Sequence, residues 1–268
     1  MIGVVEGDDA DRDGGFDGGR PSGVFDLRAV RLSIVAPCFN EADNLDELVA
    51  RVGAAMDGLP FASELVLVDD GSADGTWAAM RRLARREPRL VLRRHGTNRG
   101  IVPAWRTAVE AARAELVCVI DADLQYRPED IARLLAAREG AGAEVSQGAR
   151  RYEWPERSSR YWLSRGFNAL VNGAFGMSLP DNKSAFLVCR REVLAEALAF
   201  RGRYHAWQNL VMVSLYARGH RSVSVETAFE PRRRGASFLA DFPVRHGVRS
   251  LLDVAVALRE YGRVTPRR

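Results

Sequence analysis

The sequence predicts an α/β fold in which helices cover both faces of a mostly parallel central sheet. From Arg31 onward, short apolar strands recur at intervals of about 30 residues and alternate with amphipathic helices. Two of these strands run directly into acidic residues, Asp69-Asp70 and Asp121-Ala122-Asp123. Ligands bind at the carboxyl ends of the strands in such sheets, so these aspartates indicate where the functional site lies.

The first half of the chain has a regular order of elements. Short apolar runs predict strands, and apolar residues returning every three or four positions predict helices. Pro103 and Pro128 suit the first residue of a helix. The predicted elements are strand 32–37, helix 44–56, strand 64–70, a helix marked by Trp77, Met80 and Leu83, strand 90–93, helix 103–113, strand 116–120 and a helix from 128.

The second half is less regular and predicts a mixture of elements. The predicted elements are a helix plus loop at 158–177, strand 185–188, helices 192–199 and 207–218, strand 223–229 and an amphipathic helix at 244–260. The last helix carries Arg245, His246 and Arg249. Packing against the core is its simplest role, and binding to a membrane surface is a second hypothesis.

Composition divides the chain into a tail, one domain and a terminal helix. Residues 1–29 are rich in Gly and Asp and predict a disordered tail, residues 30–240 predict the folded domain, and residues 241–268 predict the amphipathic helix and a basic tail. The chain shows no secretory signal and no apolar run of about 18 residues. Three cysteines at no metal-like spacing predict free thiols in a reducing compartment. We therefore expect a cytoplasmic protein, soluble or peripheral at the inner face of a membrane.

The basic residues are almost all arginine. Of 39 basic residues only Lys183 is a lysine, and the net charge is +4. Arginine suits bidentate contact with phosphate, although a GC-rich genome explains the same bias. Aromatic residues next to arginine are more typical of a core or of a cleft for an acceptor than of a nucleic-acid surface, so no nucleic-acid partner is expected.

The pair Asp121 and Asp123 predicts a divalent cation site. In an extended strand alternate side chains point the same way, so these carboxylates would repel each other unless a cation lay between them. Mg²⁺ or Mn²⁺ held by few carboxylates keeps positions for phosphate oxygens, and Gln125 would add a neutral oxygen. The chain has no P-loop and no GxGxxG after its first strand, so a metal is the expected ligand for a diphosphate.

Four ordered segments resemble a known family. PCFNEADNL, VDDGSADGT, GTNRG and DADLQYRPED are similar to the family 2 glycosyltransferases of GT-A fold, and most to the dolichol-phosphate mannosyltransferase branch. The resemblance covers about residues 31–240. It implies an inverting, metal-dependent transferase that takes a sugar from a UDP- or GDP-linked donor and uses Mg²⁺ or Mn²⁺.

The resemblance also assigns roles to positions. Catalytic roles fall to Asp121, Asp123 and Arg232, and the metal site to Asp121, Asp123 and Gln125. Donor binding falls to Pro37, Phe39, Glu41, Asp70, Asp121, Arg234 and Ser237. Acceptor binding falls to Arg150, Arg165 and Gln208. His205 is a further candidate there, either as a base or as a hydrogen-bonded loop histidine. The segment Arg232 to Ser237 would close over the diphosphate.

Three departures from that branch concern the acceptor. The segment from Asp181 to Phe186 differs from the usual Asp-x-Thr-Gly-Gly-Phe, and Phe238 replaces a lysine. Gln208 stands where many members of the family have a carboxylate that acts as a general base. An ionised polyprenyl phosphate needs no base, whereas a sugar hydroxyl usually does. A polyprenyl phosphate is therefore the favoured acceptor, and a soluble or carrier-bound amine or hydroxyl in a specialised pathway is the alternative. A receiver-like signalling module and a phosphatase with a DxD motif are more distant alternatives, and a homodimer stays open.

Overall fold

One sheet organises the part of the chain that the structure describes. The structure, a computed structural model, describes residues 30–152, 159–231 and 243–262. Seven strands pair within these ranges in the order β3-β2-β1-β4-β6-β5-β7. The strands are β1 Leu32–Cys38, β2 Ser63–Asp70, β3 Leu90–His95, β4 Leu116–Val119, β5 Val145–Tyr152, β6 Leu187–Arg190 and β7 Ser222–Phe229.

Helices follow most of the strands. They are α1 Leu45–Asp57, α2 Thr76–Ala84, α3 Ile101–Ala111, α4 Ile131–Gly140, α5 Ser159–Phe175, α6 Arg191–Leu198, α7 Val211–Ala217 and α8 Pro243–Tyr261. Short 3-10 turns, Pro128–Asp130 and Trp207–Leu210, lead into α4 and α7. Pro128 opens its turn as predicted, whereas α3 begins at Ile101, two residues before Pro103. No helix of the described ranges has the length and hydrophobicity needed to cross a bilayer.

The sheet has a core on each face. Alternate strand residues point to opposite faces, so Val35, Val66 and Val119 join one buried cluster while Ile34 and Leu67 join the other. All eight residues of β2 are buried, because a parallel strand covered on both faces has no side in water. The predicted α/β class with helices on both faces is confirmed.

Strand β6 is antiparallel to both of its neighbours, β4 and β5. Since β5 and β7 then pair in parallel, β5 and β7 run in the same direction as β1 to β4. Their carboxyl ends therefore lie at one edge of the sheet, together with the segment 181–186 that enters β6. The sequence analysis placed a strand near β6 but gave no direction for it and did not list β5.

Gly71 shapes the turn after β2. Its φ is +70°, and a Cβ at this position would lie 2.2 Å from the backbone carbon of Thr97. The glycine thus allows the loop after β3 to pass against the end of β2, which places the carboxylates of that edge.

Replacing Gly71 with alanine is predicted to destabilise the fold. Overpacking against backbone and the left-handed conformation together should lower the free energy of unfolding by about 3 kcal/mol. Gly140→Ala is the matched control, because nothing lies within 4 Å of a Cβ there and alanine favours the end of α4. Urea denaturation of both variants measures the difference, and equal losses would contradict this account of Gly71.

Candidate active site

The acidic residues selected from the sequence meet at the carboxyl edge of the sheet. β1 lies between β2 and β4 and is parallel to both, with Cys38 beside Asp69. The loops that follow these strands are therefore neighbours. Asp69–Asp70 and the turn that contains Asp121 and Asp123 end adjacent parts of the same sheet.

The loop after β1 is fastened to the loop after β2. The Asn40 backbone N–H donates to Ser72 Oγ at 2.9 Å, and Asn40 has a left-handed φ of 55°. The Glu41 backbone N–H donates to Thr76 Oγ1 at 2.9 Å, and Glu41 is buried. Phe39, which precedes both residues, is exposed, as a residue that stacks on a ligand would be, while Pro37 is half-buried in β1.

Asp70 is occupied by the chain itself. His95 Nδ1 lies 2.6 Å from its carboxylate, and the backbone N–H groups of Arg99 and Gly100 donate to it at 3.0 and 2.8 Å. These bonds hold the loop between β3 and α3, and Asp70 is only 3% exposed. That Asp70 binds the base of a nucleotide stays a prediction. Its hydrogen bonds show that it positions the loop before α3.

Asp121 and Asp123 lie in a turn and not in an extended strand. β4 ends at Val119, so the expectation that strand alternation aligns the two carboxylates is wrong. Asp123 Oδ1 accepts the backbone N–H of Gln125 at 3.1 Å, and Leu124 is held at a φ of 60°. A left-handed bulky residue costs about 1 to 2 kcal/mol, and such strain is concentrated at functional sites.

Gln125 and Tyr126 connect this turn to two other segments. The Gln125 side-chain amide donates to the Glu230 carbonyl at 3.1 Å, directly after β7. The Tyr126 hydroxyl donates to Ser184 Oγ at 2.7 Å. Burial raises the pKa of Tyr126, and the charges of Arg150 and Asp121 are both close enough to act on it. The turn, the end of β5 and the segment 181–186 therefore form one site.

Arg150 and Asp181 form a buried ion pair in that site. Arg150 bonds to both carboxylate oxygens, at 2.9 Å for the Nη2–Oδ1 pair, and its guanidinium lies 5.3 Å from the centre of the Phe229 ring. Burial alone would raise the pKa of Asp181, but the hydrogen bonds and charge of Arg150 outweigh it and lower the pKa. Arg150 was expected to meet an acceptor, and the structure places it against Asp181.

Lys183, to which the sequence analysis assigned no role, lies in the same site. Its ammonium is largely buried and donates to Oγ and, at 3.2 Å, to the carbonyl of Ser164 on α5. Burial, with the repulsion of Arg150, lowers its pKa to about 8. A buried cation whose hydrogen-bond acceptors are neutral favours an anionic ligand. The sequence did offer one indication of its importance, because Lys183 is the single lysine of the chain.

The other predicted acceptor residues lie farther along the fold. Arg165 is exposed on α5, next to Ser164, and stacks on Tyr161 at 5.7 Å. His205 Nδ1 is bonded to Asp253 of α8 at 3.1 Å, and Gln208 is half-buried in the 3-10 turn before α7. Arg165 thus lies next to the Lys183 site, whereas His205 connects its loop to α8. Arg232, Arg234, Ser237 and Phe238 lie outside the described residues.

The carboxylates of Asp121 and Asp123 fit a metal ion that is shared with a substrate. Both residues are partly exposed on one turn, and no group of three or more His, Cys, Asp or Glu side chains in the described ranges is arranged to hold a metal. Two carboxylates leave most positions of Mg²⁺ or Mn²⁺ for phosphate oxygens and water. The donor set therefore suits a cation that binds together with a diphosphate.

Comparisons with known proteins agree with this arrangement. The family model for glycosyl transferase family 2 matches residues 33–198, more than half of the chain. The dolichol-phosphate mannosyltransferase of Pyrococcus furiosus is 32% identical over 174 residues, 62% of this chain and 47% of that protein. The undecaprenyl-phosphate 4-deoxy-4-formamido-L-arabinose transferase of Pseudomonas aeruginosa LESB58 is 35% identical over 64% of this chain and 50% of its own length. The chain thus spans about half of these relatives.

A solved structure shows the same fold. Glucosyl-3-phosphoglycerate synthase from Mycobacterium tuberculosis, in complex with Mn²⁺, UDP and glucosyl-3-phosphoglycerate, superposes with a TM-score of 0.63. Its sequence is 17% identical, and the match covers 92% of this chain and 88% of that one. At this identity the likeness supports the fold alone, and the fold is GT-A.

Removing Arg150 is predicted to be far more costly than removing its neighbour Arg151. Arg150→Ala leaves the Asp181 carboxylate buried without its partner and should cost about 3 kcal/mol of stability, part of which the double variant with Asp181→Ala recovers. Arg151 pairs with Glu226 at the surface, with both side chains more than 60% exposed, so Arg151→Ala should cost less than about 1 kcal/mol. Thermal denaturation tests this, and equal effects of the two alanine variants would contradict a structural ion pair.

Proposed function

This chain is a member of glycosyl transferase family 2, and we propose that it moves a sugar from a nucleotide-diphospho-sugar to the phosphate of a polyprenyl-phosphate-type acceptor. The names of the two relatives, which specify dolichol phosphate and undecaprenyl phosphate, support the acceptor class. Because the chain spans only about half of their length, donor, acceptor and stereochemistry are all part of the proposal.

The observation that carries the acceptor is the cationic cluster of Lys183 and Arg150. Arg150 is bonded to the Asp181 carboxylate, whereas the Lys183 ammonium is bonded to neutral oxygens of Ser164 and feels the charges of Arg150 and Asp181. Adding a phosphate would balance the excess positive charge in a poorly solvated place, where charge pairing is strong. Gln208, which cannot act as a base, is consistent with an acceptor that is already ionised.

On the donor side we assign the diphosphate to the turn of Asp121 and Asp123. These carboxylates would hold a divalent cation, Mg²⁺ or Mn²⁺, which would neutralise negative charge on the leaving nucleoside diphosphate. The presence of Mn²⁺ and UDP in the mycobacterial synthase supports this assignment. Phe39 and Glu41 would flank the nucleotide, and Arg232, Arg234 and Ser237 would contact the diphosphate.

The reaction that we propose is a single in-line displacement. An acceptor phosphate oxygen, held by Lys183 and Arg150, forms the bond to the anomeric carbon while the bond to the diphosphate breaks and its electron pair leaves with the nucleotide. The acceptor attacks opposite to the leaving group, so the anomeric configuration inverts. No proton has to be removed, because the attacking oxygen is already ionised.

A small acceptor that bears a phosphate is the second candidate. The mycobacterial synthase is named for a product built on 3-phosphoglycerate, and the Lys183 cluster would suit such an anion equally well. Parallel assays with a short-chain polyprenyl phosphate and with a soluble phosphorylated acceptor distinguish the two. Transfer only to the soluble acceptor would replace the lipid proposal with this one.

Asp123→Asn is predicted to abolish both turnover and donor-dependent stabilisation. In the native chain, UDP or GDP at about 100 times its dissociation constant with Mn²⁺ should add about 2.7 kcal/mol of stability. The variant should lose this stabilisation, because one anionic metal ligand is gone. Glu139→Gln, at an exposed position of α4, is the control and should behave like the native chain. Thermal shift with each nucleotide measures the effect, and an unchanged response of Asp123→Asn would rule out the metal role.

The single lysine gives a direct test of the acceptor site. Lysine labelled with ¹³C at Cε should yield one side-chain NMR signal that titrates near pH 8 rather than 10.5. Inorganic phosphate should move that midpoint upward, because an anion stabilises the ammonium form, and Arg151→Ala should leave the response unchanged. A midpoint that ignores phosphate, combined with an unaltered acceptor KM in Lys183→Met, would exclude Lys183 from the acceptor site.

A further inference from the structure

Large apolar side chains are exposed almost solely on two helices. Among the described residues eight such side chains are exposed, and seven of them belong to α5 or α8. They are Trp162, Leu163 and Leu170 on α5, and Val248, Leu251, Leu252 and Leu258 on α8. The two helices contact each other. Single exposed apolar residues are ordinary, but such a concentration on adjacent helices marks an interaction surface.

The outward face of α5 is apolar along its described length. Its exposed positions recur at helical spacing and, apart from Arg165, carry no charge: Trp162, Leu163, Gly166, Ala169, Leu170 and Gly173. The whole helix contains no acidic residue. The opposite face packs Val171 and Phe175 into the core and also carries polar side chains: Ser164 accepts from Lys183, and the side chain of Asn168 accepts the Asn182 N–H at 2.7 Å. One helix thus separates the apolar surface from the proposed acceptor site.

The outward face of α8 has the same character. Val248, Leu251, Leu252 and Ala255 are exposed at spacings of three and four, and the face ends at Arg259. Both acids of this helix are engaged with the chain: Asp253 accepts the backbone N–H groups of His205 and Ala206, and Glu260 accepts those of Arg201 and Gly202. Among the described side chains of α8, the charges left beside the apolar residues are those of Arg249, which is partly exposed, and Arg259, which is exposed.

We propose that the exposed faces of α5 and α8 form a docking surface for an anionic phospholipid bilayer. Trp162 is the type of side chain that settles at the headgroup level, and an apolar helix face flanked by arginine matches an anionic interface. A second copy of the chain would offer the same arginine-bearing faces, whose exposed described positions include no acid to pair with them. Docking itself is independent of the reaction. The use of docking to bring a lipid-bound phosphate to the Lys183 site rests on the proposed function.

The buried native cysteines allow a site-specific test in the full chain. Cys38, Cys118 and Cys189 are buried, so Leu163→Cys introduces one accessible thiol for an environment-sensitive fluorophore. Phosphatidylglycerol vesicles should shift its emission to the blue, and phosphatidylcholine vesicles should do so much less. Ala54→Cys, exposed on α1, is the matched control and should show no shift. Trp162→Glu should lower the affinity for phosphatidylglycerol vesicles, measured by co-sedimentation, about tenfold or more.

Three results would overturn the docking surface. One is an emission at position 163 that ignores vesicles. Another is a shift that appears without vesicles and grows with protein concentration, which would identify a second copy as the partner. The third is a thiol at position 163 that does not react, which would mean that the chain covers this face itself. None of these readouts requires turnover, so the docking surface and the proposed transferase reaction can fail separately.

Discussion

Negative charge at the carboxyl edge of the sheet is the constraint on which the site depends. Carboxylates at the ends of buried strands lose solvation, and each must recover it from donors of the protein or of a ligand. Asp70 recovers it from His95 and two backbone N–H groups, and Asp181 from Arg150. These bonds fix the loop before α3 and the segment that enters β6. These acids therefore fix the loops around the candidate site without any substrate.

Asp121 and Asp123 differ from those acids in exposure and in backbone conformation. Asp70 is nearly inaccessible, whereas Asp121 and Asp123 are partly exposed on a turn that holds Leu124 in a left-handed conformation. Strain of this kind persists only where the surroundings impose it. Here Gln125 and Tyr126 impose it, through their bonds to Glu230 and Ser184. The turn is thus fixed to the end of β7 and to the segment 181–186, so the proposed donor and acceptor sites are connected by direct hydrogen bonds.

The sequence predicted the parts of this arrangement that local patterns encode. Apolar periodicity located β1, β2 and β4 and the helices between them, and the edge where their acids meet followed from parallel pairing. The direction of β6 was not predictable, because a four-residue strand pairs equally well either way and only its partners decide. β5 was missed since its residues, Val145–Tyr152, include Gln147, Arg150 and Arg151 and lack an apolar run. Sequence also could not separate Asp70, which holds a loop, from the partly exposed Asp121 and Asp123, because both kinds of acid lie at the end of a strand or just after one.

The acceptor side shows why a departure from a family pattern needs the fold to be interpreted. From sequence, the changed segment Asp181 to Phe186 and the absence of a lysine at Phe238 were departures that concern the acceptor. In the structure the changed segment itself carries a lysine, Lys183, which α5 holds beside Arg150 with a pKa near 8. The helix that holds it turns Trp162, Leu163 and Leu170 outward, so the proposed docking surface and the proposed phosphate site lie on opposite sides of one helix.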